Sequence, residues 1–259
     1  MILTMDIGNS TVKIGVWDNT TLRSSWRIST AKVGTSDELG ILLHSLFTHQ
    51  GLRCDCVTGC IYSSVVPTLN FTIEHMCRLY FELDAIQVSC SLNLGITVNY
   101  DHPQQLGTDR IANAVAAHEI YGGPCVFIDF GTATTFGVVS KTGRFEGGVI
   151  CPGIKLSAEA LVSGAAKLPR VELNKPDRVI GKNTISNIQA GLVYGFVGQI
   201  EYLVRRIKQE LNADDAIVIA TGGMAKLVAS ETSAINETDS LLTLKGLRIL
   251  YERNRDGVK

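Results

Sequence analysis

Apolar positions along the chain alternate with period two in some stretches and recur at helical spacing in others. Met1 to Arg27 alternates like a β-meander, with Asp18-Asn19 as a turn. Ser36 to His49 has a helical period, with Ser36 or Thr35 as N-cap and acids in the first turn. Val57 to Val66 reads as a strand stopped by Pro67, Thr68 to Phe81 as an amphipathic helix, and Ala85 to Ser89 as a short strand. Thr108 to Ile120 is predicted helical, with Thr108 as N-cap and Ile111, Ala114, Val115 and His118 on one face. After the break at Gly122-Gly123-Pro124 come strands, a helix over Ile154 to Val162, a loop from Leu168 to Gly181, and a long helix starting after Thr184. Ile217 to Ala220 is a buried strand entering Thr221-Gly222-Gly223, and the last apolar helix, from Leu241 to Arg253, is expected to pack the C-terminus back onto the second half. The β-α-β-α-β order predicts an α/β fold with mixed sheets.

One pattern occurs twice. ILTMDIGNSTVKIGV opens the chain and VFIDFGTATTFGVV follows at Val126 to Val139. Aligning Asp6 with Asp129 puts Gly8 on Gly131 and sets Asn9, Ser10 and Thr11 against Thr132, Ala133 and Thr134. A further glycine, Gly15 or Gly137, falls one residue out of register. Each copy reads as strand, tight turn and antiparallel strand, so the chain is expected to hold two similar lobes. An Asp ending a buried strand, then Gly and small polar side chains, lets backbone N–H groups approach an anion while the carboxylate holds a cation. Two such turns facing across a cleft would grip a nucleotide's phosphates and its metal; each taken alone also fits an ordinary hairpin.

Composition narrows the partners. The net charge is −1, with 45% apolar and 19% charged residues, so nothing marks a nucleic-acid or membrane-surface binder. The segment Lys245 to Lys259 is locally basic, which a solvated helix face explains. No targeting signal and no apolar run of about 20 residues is visible, which points to the cytoplasm. Seven cysteines read as reduced thiols; the cluster Cys54, Cys56 and Cys60 lacks paired spacing and a nearby His, so no metal is assigned to it.

Candidate chemistry concentrates in NYDHPQQLGTDR, Asn99 to Arg110, a loop closed by Pro103 ahead of a helix. Asp109 sits in the first helical turn beside Arg110, where helix dipole and guanidinium both favour an ionised carboxylate. Taken alone it also fits a capping acid, and Tyr100 and His102 also fit surface positions. Gly191, Gly195 and Gly198 recur at near-helical spacing inside the long helix, each at a cost of about 1 kcal/mol against Ala. They point to a close backbone neighbour, another helix or a partner subunit. There is no GxxxxGK[ST], no GxGxxG opening a βαβ unit, no GxSxG and no HExxH.

DIGNS at 6–10, GTDR at 107–110, DFGTATT at 129–135, GGVICPG at 147–153, GKNT at 181–184 and TGG at 221–223 together resemble the type III pantothenate kinases. That family belongs to the acetate and sugar kinase/Hsp70/actin superfamily, and the resemblance spans essentially the whole chain. It implies two ribonuclease H-like lobes, 1–118 and 119–259, with ATP in the cleft between them. It also implies ATP-dependent phosphorylation of pantothenate, the first step of coenzyme A synthesis, in a homodimer that needs magnesium and a monovalent cation such as potassium or ammonium. By the same resemblance Asp6, Ile7, Gly8, Asn9, Ser10, Thr11, Val12 and Lys13 hold the ATP phosphates, with Asp6 helping to place magnesium. Thr132 adds a phosphate contact and Asp129 holds the monovalent cation. Tyr100, Gly107, Thr108, Asp109, Arg110 and Thr184 bind pantothenate, with Arg110 suited to its carboxylate and Asp109 as the base facing its hydroxyl. Two other readings stay open: a superfamily kinase acting on a sugar, acetate or glycerol, and a non-catalytic relative that assists transcription.

Overall fold

The computed structural model describes residues 1–255 and falls into two compact units, Met1–Ala116 joined by the segment from Leu242, and Ala117–Leu241. The first contains β1 (Ile2–Ile7), β2 (Thr11–Asp18), β3 (Thr21–Ser29), α1 (Ser36–His49), β4 (Gly59–Ser64), α2 (Asn70–Phe81), β5 (Ala85–Gln87) and β6 (Thr97–Val98). The chain passes to the second unit within α3 (Thr108–Tyr121). There follow β7 (Cys125–Phe130), β8 (Ala133–Val139), β9 (Arg144–Pro152), α4 (Ile154–Gly164), α5 (Thr184–Leu211), β10 (Ile217–Gly222), α6 (Ala225–Ala229) and β11 (Glu237–Thr238). Helix α7 (Leu242–Asn254) belongs to the first unit again.

The two sheets repeat one plan. Strands run β3-β2-β1-β4-β5 in the first unit and β9-β8-β7-β10-β11 in the second. In each, the first strand pairs antiparallel with the second and parallel with the fourth. Both are mixed α/β sheets of the ribonuclease H kind. The duplicated hairpins also align better in space than in sequence. Gly15 stands opposite Thr4, and Gly137 opposite Phe127, each partner lying two residues before the Asp. The one-residue offset in sequence is therefore taken up by the turn. The glycines share a packing reason: a Cβ at Gly15 would meet Thr4 Oγ1 at 2.8 Å, and one at Gly137 would meet the Phe127 ring at 2.0 Å.

Local signals account for the helix starts. Thr35, rather than Ser36, caps α1 in a reciprocal box with Glu38, an arrangement whose removal costs about 1 kcal/mol. Asn183 caps α5 with Ser186, which makes Thr184 its first helical residue. Helix α3 is buried through nearly its whole circumference from Arg110 to Ala117, a broader buried face than the stripe its pattern predicts.

One expectation needs correction. The lobe boundary does not divide the chain into 1–118 and 119–259, because α7 lies against β1, β2 and β4 of the first unit. It buries Leu244, Leu247 and Leu250 there, and the Tyr251 hydroxyl reaches the Thr58 carbonyl at 3.4 Å. An amphipathic pattern announces a helix with a buried face, but not which sheet covers that face. Of the two neighbours expected for the glycines of α5, another helix or a partner subunit, the first is absent among the described residues: a Cβ on Gly191, Gly195 or Gly198 would meet nothing within 4 Å. Of the basic stretch Lys245 to Lys259, residues 256–259 lie outside the described residues. All seven cysteines are free thiols, and Cys60 on β4 faces Cys77 on α2 with 3.5 Å between sulfurs. Among the described residues no three His, Cys, Asp or Glu side chains gather as metal ligands, and no helix is long and apolar enough to cross a membrane.

Candidate active site

The first hairpin builds its site from the end of a buried strand. Asp6 is 6% exposed, and a carboxylate so enclosed needs partners to offset its lost hydration. It has them on both neighbouring strands. Lys13, directly opposite on β2, places Nζ 3.1 Å from Oδ2, and Ser63 on β4 donates its hydroxyl to Oδ1 at 2.7 Å. The turn beyond is pinned from β3's end: the Gly8 N–H donates to the Thr11 carbonyl at 3.1 Å. The Thr30 N–H donates to the Ser10 carbonyl at 3.1 Å, and its hydroxyl to the Gly8 carbonyl at 2.7 Å. Asn9 and Ser10 are exposed at the tip and Thr11 is half-buried. Ile7 and Val12 are core residues, so either could meet a ligand through its backbone alone.

The segment Tyr100 to Arg110 lies in the same unit. Thr108 does not cap α3 as its sequence position suggests. It is the first helical residue, and its hydroxyl accepts the Ser64 N–H at 2.9 Å and donates to the Ser64 carbonyl at 3.1 Å. The first turn instead closes on the Gly107 carbonyl, which accepts from the N–H groups of Arg110 and Ile111 at 3.0 and 3.2 Å. The Asp109 carboxylate folds back over Gly107, so that a Cβ there would lie 2.5 Å from Oδ1. Arg110 is 6% exposed, with its guanidinium 5.9 Å over the Tyr100 ring. Asp6 and Asp109 thus stand at one end of one sheet, linked through Ser63, Ser64 and Thr108.

In the second unit Asp129, half-buried, stands opposite Thr135. Thr132 is exposed at the turn, and its carbonyl accepts the Gly153 N–H at 3.1 Å. Gly222 has φ of +92°, and its missing side chain is required: a Cβ would lie 2.6 Å from both Asp129 Oδ1 and the Phe130 carbonyl oxygen. Two oxygens therefore converge beside a residue with no side chain, a donor set that suits a hard cation. Thr184 is exposed at the start of α5 in this second unit.

Sequence reading overlooked Thr30, Ser63 and Ser64. The last two carried a signal: a pair of hydroxyl residues ends an otherwise buried strand just before Pro67.

A model of the type III pantothenate kinase family matches residues 2–206. Among solved structures, the chain is similar to a provisionally assigned Baf family transcriptional activator from Campylobacter jejuni, with TM-score 0.62, 20% identity, and 98% of this chain and 99% of that one covered. It is similar to a provisionally assigned 2-dehydro-3-deoxygalactonokinase from Sinorhizobium meliloti, with TM-score 0.59, 11% identity and 97% and 96% coverage. The ethanolamine utilization protein EutJ from Carboxydothermus hydrogenoformans matches with TM-score 0.54, 14% identity and 96% and 89% coverage. At these identities what is shared is the fold, that of the actin-like ATPases and sugar kinases. The family match runs from the first strand into the long helix, through both hairpins and the Asp109 helix, and the chain belongs to the type III pantothenate kinase family.

Proposed function

We propose that this protein transfers the γ-phosphoryl group of ATP to the primary hydroxyl of pantothenate, giving 4'-phosphopantothenate, the first committed intermediate of coenzyme A synthesis in the cytoplasm. The observation that carries this reading, beside the family match, is the convergence of Asp6 and Asp109 at one end of the first unit's sheet. The backbone N–H groups of the Gly8 to Thr11 turn and the Lys13 ammonium take the phosphates, and Thr132 adds a contact from the second hairpin. Both oxygens of Asp6 are engaged by Ser63 and Lys13, which suits it to holding magnesium through that ion's water shell. Asp129 and the Phe130 carbonyl would hold the monovalent cation, and that ion and magnesium, when bound, would supply charge neutralisation.

Phosphoryl transfer through a loose transition state needs positioning and charge neutralisation more than strong base catalysis. Asp109 therefore orients the pantothenate hydroxyl first and takes its proton late. Arg110, stacked over Tyr100, pairs with the pantothenate carboxylate, and Thr184, of the same subunit or of its partner, is a further pantothenate ligand in this reading. A homodimer is part of the same reading. Gly191, Gly195 and Gly198 form an exposed flat stripe on α5, continued by Tyr202 at 51% exposure, and this stripe is the face on which a second α5 would pack.

The test is a coupled ADP-release assay with ATP, magnesium and pantothenate, run with potassium and again with sodium alone. Pantothenate-dependent turnover that requires potassium is the expected result, and Asp109→Asn is expected to lose on the order of 100-fold or more in kcat. Turnover with sugars, acetate or glycerol but not pantothenate would move the assignment to another kinase of this fold. A few-fold loss in Asp109→Asn at saturating substrate would remove Asp109 from both its roles.

A further inference from the structure

We propose that Ser63–Ser64, the tip of β4, is a positioning element that holds Asp6 and the acceptor helix α3 in one frame, and that the Thr108 hydroxyl belongs to this element and not to the substrate. The proposal rests on the functional reading above for its consequences in turnover, but its geometry rests on hydrogen bonds within the first unit alone.

The backbone shows why the tip needs Thr108. β5 pairs with β4 only as far as Gln87 opposite Tyr62, and Val88 N–H then donates to the Tyr62 carbonyl at 2.9 Å. Where β5 leaves, the N–H and C=O of Ser64 would be left without ladder partners, at a cost for buried backbone groups. The Thr108 hydroxyl satisfies both, at 2.9 and 3.1 Å, in the place a further strand residue would have taken. A hydroxyl carries one proton and two lone pairs. The proton of Thr108 is spent on the Ser64 carbonyl, so it cannot donate to a substrate oxygen without breaking the frame.

On the other side of the tip, the parallel register puts Ser63 opposite Asp6. Its hydroxyl, fully buried, donates to Oδ1 at 2.7 Å and leaves Oδ2 to Lys13. The Ser64 hydroxyl turns inward as well, accepting the Val66 N–H and donating to the Val66 carbonyl, both at 3.2 Å. Asp6 and Asp109 are thereby joined through the Ser63–Asp6 hydrogen bond, the Ser63–Ser64 peptide, the pair of Ser64–Thr108 hydrogen bonds and the Thr108–Asp109 peptide. Their relative placement is set before any ligand arrives, the condition under which positioning contributes most to rate.

Four variants of the full chain test this: Ser63→Ala, Thr108→Val, Thr108→Ser, and Ser63→Ala combined with Thr108→Val. Thr108→Val is expected to lower kcat on the order of 10- to 100-fold, as for a displacement of about 1 Å, with KM for pantothenate changed less than about threefold; Thr108→Ser is expected to restore kcat. The double variant is expected to be no slower than the slower single one, because breaking either end releases the same frame. A large rise in the KM for pantothenate at unchanged kcat would make Thr108 a substrate ligand and overturn the proposal. Multiplying losses in the double variant would overturn the shared element. Hydrogen exchange at the Ser64 amide, measured without substrate, separates the two levels of inference. Exchange that quickens in Thr108→Val and not in Thr108→Ser upholds the frame even if pantothenate is not phosphorylated, whereas unchanged exchange refutes it even if the kinase assay succeeds.

Discussion

Replacing Gly246 by alanine sets two effects of opposite sign against each other. In an exposed helix interior the change would gain about 1 kcal/mol from helix propensity. Here a Cβ on Gly246 would lie 1.9 Å from the carbonyl oxygen of Ala112 and 2.6 Å from its carbonyl carbon. The obstacle is the backbone of α3, which cannot rotate aside as a flexible side chain could. An unstrained carbon–oxygen contact is about 3.4 Å, so α7 and α3 must separate locally by about 1.5 Å. Around that contact Ile111, Ala112, Leu244 and Leu247 are buried, and overpacking a close-packed interior costs about 1–3 kcal/mol. With the propensity gain subtracted, we expect a net loss of up to about 2 kcal/mol, or a Tm lowered by up to about 8 °C for a chain of this length. Thermal unfolding followed by circular dichroism measures it. Because α3 carries Asp109 on its first turn, kcat should fall as well, on the order of 10-fold or more for a displacement near 1 Å. A Gly246→Ala protein with an unchanged or raised Tm and full turnover would refute the reasoning.

The remaining predictions concern the site, the titrations and the assembly. Gly107→Ala should leave Tm within about 1 °C, because the clash is with the movable end of Asp109, yet lower kcat on the order of 10-fold by displacing that carboxylate; steady-state kinetics beside a melting curve check it. Burial and the neighbouring Asp239 carboxylate push the Tyr121 hydroxyl up to about 12, and burial pushes the Cys125 thiol up to about 12. Both shifts favour the neutral forms in the fold. Their contribution is therefore fully present below the unfolded values, roughly 10 for Tyr and 8.5 for Cys, and is lost as pH rises towards 12. The urea midpoint should fall over that window, and Tyr121→Phe should flatten the part above about pH 10. If α5 forms the subunit contact, Gly195→Glu should convert a dimer to a monomer in sedimentation, at no cost to the monomer's fold, since the position faces open space.

Much of this protein was legible in its sequence, because the interactions concerned are local. The strand–turn–strand repeat at Asp6 and Asp129, the start of α1 at Thr35 or Ser36 and the break before β7 each depend on residues a few positions apart, whose side-chain period and turn chemistry fix the backbone. The placement of Asp109 in a first helical turn was legible for the same reason. Contacts made across the fold were not. That α7 returns to the first unit, that Thr108 bonds the end of β4, and that Ser63 orients Asp6 all rest on pairs 44 to more than 100 residues apart. Periodicity states that a face is buried, whereas only close packing selects the surface that buries it. A hydroxyl's local sequence offers it a cap or a turn, but its bond goes where the fold leaves backbone groups unpaired, as it leaves those of Ser64 where β5 ends.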